Sequence, residues 1–210
     1  CPTCGKNFSD ANGNTKMSSI YSHGTAKADY AMYCSDGKLY DICTVCNGAA
    51  DESTLDETTL KNLIISDTVT SVADSAFNGF SVLETVTVPS SVTSFGSNAF
   101  NLCFALKEVN ISSLEKWCTI NFSNSYSNPL NSFSNNCHLK LNGTEITELV
   151  IPSTVTSISA HAFSGGREIT SVSSPSSVTS IKTYAFYLCE RLSSILIPSN
   201  VTEIGRGAFN

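Results

Sequence analysis

The chain has 210 residues, of which 41% are hydrophobic and only 14% charged, with a net charge of −6. An ordinary soluble domain carries about 25% Asp, Glu, Lys and Arg; here Ser and Thr fill that place, at about a quarter of the residues. The balance excludes a disordered polyelectrolyte and argues against a nucleic-acid binder, which needs clustered Lys and Arg to displace counterions. No apolar run approaches the ~18 residues of a membrane helix; the longest are stretches such as Leu63-Ile64-Ile65.

Residues 1–59 carry no repeat and hold two CxxC pairs, Cys1/Cys4 and Cys43/Cys46. Each pair sets two thiols on a tight turn, and two such turns can complete a tetrahedral zinc site. The stretch between Cys4 and Cys43 exceeds the usual separation of about 15–20 residues in short zinc ribbons. Two readings stay open: a structural zinc on Cys1, Cys4, Cys43 and Cys46, or disulfides, with Cys34 and His23 able to join either. A catalytic redox pair is disfavoured, because no βαβ pattern surrounds these cysteines. The chain has nine cysteines, an odd number that forbids complete internal pairing. It begins within a Cys motif and stops just after Phe209, so it is expected to be a processed or trimmed piece. The role assigned to 1–59 is an N-terminal cap, since a solenoid must shield the core of its first coil.

From Leu60 the chain repeats. An Ala-Phe pair recurs at Ala76-Phe77, Ala99-Phe100, Ala162-Phe163, Ala185-Phe186 and Ala208-Phe209. Around it the unit L-x-x-V-x-V-P-x-x-V-T-x-I-x-x-x-A-F-x-x-C returns at a constant interval, as in Leu83–Cys103 and Ile169–Cys189. Leu83, Val86 and Val88 read as a short strand. Pro89 ends it, having no N–H for a ladder. Val92, Thr93 and Phe95 read as a second extended piece, and Ser97–Phe100 as one helical or 3-10 turn. One such coil has no interior; stacked coils bury the Leu, Val, Ile and Phe columns as ladders. Cys103 and Cys189 share one column, which points to packing rather than chemistry.

This pattern resembles the BspA-type leucine-rich repeat family, its 23-residue class rich in V-T-x-I and A-F-x-x-C, strongly over 60–111 and 146–210. The resemblance implies a right-handed solenoid, in surface proteins of gut and oral bacteria and some parasitic protists linked to adhesion or host binding. The start CPTCGKNFSDANG is also similar to short Cys-x-x-Cys-Gly-Lys modules between domains of large bacterial surface proteins.

The period breaks once. A unit opens at Leu106 and the next regular one opens only at Ile146, leaving an enlarged irregular repeat at 106–145. It holds Trp117, Cys118, Phe122, Tyr126, Cys137 and His138. Trp117 and Phe122 are expected to fill the larger coil, since a large ring usually reports burial. Asn142-Gly143, between two alternating apolar pairs, is a hairpin signal.

Nothing in the sequence points to catalysis. The Cys137–His138 neighbours would point to opposite faces of a strand. His161 occupies a column shared with Ser75, Asn98, Tyr184 and Gly207, and reads as a tolerant surface slot. The outward strand columns are Asn62 and Ile64, Thr85 and Thr87, Glu148 and Val150, Ser171 and Ser173, and Ser194 and Leu196. They are small, hydroxylated and partly apolar, and should line up as one face.

The expected protein is therefore a β-rich leucine-rich repeat solenoid with short helical or 3-10 turns. A small Cys-containing cap precedes it over 1–59, and the repeats span 60–210. Its expected function is non-catalytic binding or adhesion at a cell surface or in the extracellular space. It would recognise a protein or glycan ligand on a host or neighbouring cell, with no nucleic-acid partner and no membrane span in the chain. No cofactor is required beyond the zinc reading. Two alternatives are end-to-end self-assembly into an oligomer or filament, and a targeting module of a larger surface enzyme.

Overall fold

A computed structural model describes residues 30–32, 38–39, 60–65, 67, 69–131 and 137–210, with side chains from Leu60 onward. Cys1, Cys4, Cys43, Cys46, His23 and Cys34 lie outside the described residues, and so does most of the segment assigned to the cap.

The described chain winds into six coils, opening at Leu60, Leu83, Leu106, Ile146, Ile169 and Leu192. Each regular coil contributes one strand to a first sheet and a two-residue strand to a second. In the first half the first sheet runs β1 (Tyr30–Met32), β3 (Asn62–Ile65), β5 (Thr85–Val88), β7 (Glu108–Ile111), β9 (His138–Leu141) and β10 (Thr144–Glu145). Its partner runs β2 (Lys38–Leu39), β4 (Ser71–Val72), β6 (Ser94–Phe95) and β8 (Asn121–Phe122). In the second half two new ladders begin. One is β11 (Glu148–Val150), β13 (Ser171–Ser173) and β15 (Ser194–Leu196); the other is β12 (Ser157–Ile158), β14 (Ser180–Ile181) and β16 (Glu203–Ile204).

Among the described residues pairing is parallel, except between β9 and β10. Regular neighbours stand one repeat apart, as Asn62 opposite Thr85 and Ser171 opposite Ser194. The irregular coil lengthens that interval, with Glu108 opposite His138. β1 and β2 join the same ladders ahead of the first repeat, with Tyr30 opposite Leu63 and Lys38 opposite Ser71. The parallel ladders thus extend into the segment that precedes the first regular repeat.

The core follows the columns. Leu63, Leu83, Val86, Leu106, Val109, Leu149, Val172 and the Ala-Phe pairs through Phe186 are buried. The phenylalanines of the Ala-Phe pairs form two stacks, Phe77 on Phe100 (5.1 Å between centroids) and Phe163 on Phe186 on Phe209 (5.3 and 5.5 Å). A buried Phe or Leu contributes about 1.5–3 kcal/mol of transfer free energy. The threonine of V-T-x-I is structural: Thr93, Thr179 and Thr202 each donate their hydroxyl to the carbonyl of the matching threonine one coil earlier. Uncharged hydroxyls suit such sites, and this explains much of the low charge.

The irregular coil occupies the break between the two pairs of ladders. Ser113 caps a short helix, α1 (Leu114–Thr119), by accepting from the Lys116 N–H. Trp117 on α1 is 1% exposed and its indole N–H donates to the Ala162 carbonyl at 2.7 Å. The Cys118 carbonyl accepts from the Ser159 N–H at 2.9 Å. Two 3-10 turns follow, Ser125–Ser127 and Pro129–Asn131, with buried Asn128 between them donating to the His161 and Ala162 carbonyls. Trp117 and Phe122 therefore fill this coil, as expected, while Tyr126 is exposed, and Trp117 also bonds across the break. The hairpin at Asn142-Gly143 is present, with both residues at positive φ (49° and 82°), the geometry of a type I′ turn.

Candidate functional site

The outward residues of the first sheet stack into two columns. One contains Asn62, Thr85, Glu108 and His138, then Glu148, Ser171 and Ser194; the other contains Ile64, Thr87, Asn110 and Lys140, then Val150, Ser173 and Leu196. All ten positions expected from the sequence fall in these columns. They lie within two separate ladders rather than one. Glu108, Asn110, His138 and Lys140 were missed. The first two could have been found by stepping one repeat on from Thr85 and Thr87. His138 and Lys140 could not, because the irregular coil shifts them.

The two halves of the face differ chemically. In the first half, polar groups bond to one another. Thr85 donates to the Asn62 amide oxygen at 2.7 Å, and Lys140 reaches Glu108 at 2.5 Å. The Gly143 N–H donates to the Asn110 side-chain oxygen at 2.8 Å, and the His138 ring meets Glu145 at 2.6 Å. Beside this half, hydrogen bonds from Lys107 and Lys61 hold the Glu84 carboxyl below its usual range. In the second half, Glu148, Ser173 and Ser194 are exposed, and Val150 and Leu196 present 66% and 62% of their surfaces to solvent.

Among the described residues, the neighbours Cys137 and His138 do not form a nucleophile pair. Cys137 is buried while the His138 ring turns to Glu145 on the hairpin, so the two do not meet. Burial pushes the thiols of Cys103, Cys118, Cys137 and Cys189 up to about 12. Cys103 and Cys189 donate to the Phe77 and Phe163 carbonyls, a packing role. Among the described residues, no group of three or more His, Cys, Asp or Glu could hold a metal ion.

The His161 column needs correction. Ser75, Asn98, His161, Tyr184 and Gly207 all have φ between 56° and 62°. This column varies in side chain but not in backbone: each regular coil turns there through the left-handed region, which costs an L-residue about 1–2 kcal/mol. His161 is half-buried, stacked on Tyr184 at 5.5 Å, and burial lowers its pKa.

The sequence matches the BspA type leucine rich repeat region in six copies, over residues 50–141 and 131–210. The chain belongs to this family. Among similar solved structures is a leucine rich cell surface protein of Faecalibacterium prausnitzii, 26% identical, with 72% of this chain and 36% of that one covered and a TM-score of 0.38. Another is a leucine-rich repeat protein of Bacteroides ovatus, 22% identical over 70% of this chain and 40% of that one, TM-score 0.40. A third is the T. pallidum leucine rich repeat protein, 22% identical over 72% and 75%, TM-score 0.39. The chain thus spans well under half the length of the first two. No curated protein matches it. Among the described residues, no helix is long and apolar enough to cross a membrane.

Proposed function

We propose that this chain is a non-catalytic binding or adhesion module of a cell-surface or secreted protein, and that it recognises a protein or glycan through the outward face of its first sheet. The observation that carries this reading is the register: Glu148, Ser171 and Ser194, with Val150, Ser173 and Leu196, stand side by side on neighbouring strands as an outward surface with Glu148 as its one charge. Such a surface recognises by shape and hydrogen bonding, with little electrostatic steering. Membership in a family of repeat proteins linked to the surfaces of bacteria supports the location.

The test is a paired substitution, Ser171→Arg with Ser194→Arg, compared with Thr154→Arg on an exposed turn away from the face. Binding is read on defined glycan arrays and on epithelial cell monolayers, with circular dichroism confirming the fold. The face variant is expected to lose binding at least tenfold, a change of about 1.4 kcal/mol, while the turn variant keeps it. Equal binding by both would remove this face from consideration.

A further inference from the structure

We propose that Asn142 is a site of spontaneous deamidation, and that Asn110 on the neighbouring strand sets its rate by holding the attacking nitrogen. Asn142 and Gly143 form the tip of the β9–β10 hairpin, and both are exposed. Gly143 has no Cβ, and beyond its chain neighbours the place one would occupy is open space, so no side chain at 143 shields the Asn142 Cγ from attack. In the reaction the Gly143 nitrogen loses its proton to solvent base and attacks Cγ of Asn142. A new N–Cγ bond forms, the Cγ–Nδ2 bond breaks, and ammonia leaves with a proton from water. Water then opens the cyclic imide. Opening at Cγ gives aspartate, and opening at the backbone carbonyl gives isoaspartate, whose main chain is one atom longer.

Two restraints act on this nitrogen in the folded turn. Its N–H donates to the Asn110 side-chain oxygen at 2.8 Å, and that bond must break before attack. The left-handed backbone of Asn142 must also swing open. A second Asn-Gly pair among the described residues, Asn78-Gly79, is held differently. Gly79 N–H donates to the Asn101 carbonyl within the coil-to-coil ladder at 2.8 Å, and the Asn78 side-chain oxygen accepts from Asn101 at 3.0 Å. Both reacting groups of that pair are therefore engaged, one of them by backbone that cannot move without parting two coils.

The consequence is local. A carboxylate at 142 adds negative charge on the hairpin that bears Glu145 and precedes Glu148. An isoaspartate lengthens a two-residue turn whose geometry fixes the register of Thr144 opposite Leu141. β10 would then part from β9, releasing Glu145 from His138.

The test is peptide mapping of the intact chain after incubation in warm, mildly alkaline buffer, following the amide-to-acid mass gain and isoaspartate separately in the peptides containing Asn142 and Asn78. Asn142 is expected to convert measurably faster than Asn78. Asn110→Ala should accelerate conversion at Asn142 by about 2- to 10-fold, the factor expected for loss of one neutral hydrogen bond, and leave Asn78 unchanged. Asn110→Asp, which keeps an acceptor in place, should restore a slow rate, and it separates loss of this bond from general loosening of the fold. Conversion of Asn142 no faster than Asn78, or an unchanged rate in Asn110→Ala, overturns the proposal.

Discussion

Gly165 offers the sharpest test of how the two halves are joined. It lies in the fourth coil with φ of +83°, and a Cβ placed on it would stand 2.5 Å from the Leu130 carbonyl oxygen and 2.6 Å from Cα of Asn131. These are backbone atoms of the irregular coil, so no rotamer change can make room. Gly143 provides the control, with nearly the same φ (+82°) and open space around it. At Gly143 the alanine variant carries only the left-handed cost of about 1–2 kcal/mol, partly offset by about 0.4–1 kcal/mol from a stiffer unfolded chain. Gly165→Ala carries the same terms and adds overpacking of about 1–3 kcal/mol, for an expected total of about 1–4.5 kcal/mol. The assay is urea unfolding followed by tryptophan emission. Trp117 is the single tryptophan of the chain and is bonded to Ala162 across the same junction. If Gly165→Ala shifts the midpoint no further than Gly143→Ala, the irregular coil does not press on the fourth coil as described.

Other outcomes follow from the same structure. Trp117→Phe removes the indole donor, leaves the Ala162 carbonyl to the Asn128 amide alone and opens a small cavity, so it should cost about 1–3 kcal/mol in unfolding followed by circular dichroism. The four described thiols should resist alkylation in the native protein at neutral pH and react after denaturation. Their pKa values are raised from 9.0 to about 12, so the folded state retains protons that the unfolded state releases. Stability is therefore full below pH 9 and falls as pH rises from about 9 towards 12; a flat thermal midpoint over that window would contradict the burial of these groups. The zinc proposal for Cys1, Cys4, Cys43 and Cys46 predicts about one equivalent of metal per purified chain. Negligible zinc, with those four cysteines oxidised by mass spectrometry, would discard it.

Much of the fold is legible because the chain says the same thing repeatedly. Leu83, Val86 and Phe100 carry little meaning singly. Their recurrence at one fixed interval identifies them as core columns, because only stacked coils give such columns an interior. The outward columns follow from the period-two alternation of strands, which is why the letters alone place Ser171 opposite Ser194. The Asn142-Gly143 turn is equally local, since few residue pairs accept two positive φ values. By contrast, the letters mislead at His161, whose column looks variable. The backbone constraint at that column shows only in φ, which Ser, Asn, His, Tyr and Gly all adopt there.

The repeat length, the buried columns and the direction in which each strand presents its surface are readable from the order of residues, because these depend on local periodicity multiplied over many coils. How the period survives its own interruption rests on contacts between distant residues. Trp117 is far along the chain from its partner Ala162, and Asn128 is comparably distant from the His161 and Ala162 carbonyls it bonds. Each contact occurs once, so no repetition announces it. It arises because the enlarged coil must fill the gap between two ladders that do not hydrogen-bond to one another, and it divides the outward face into a self-bonded half and an open one.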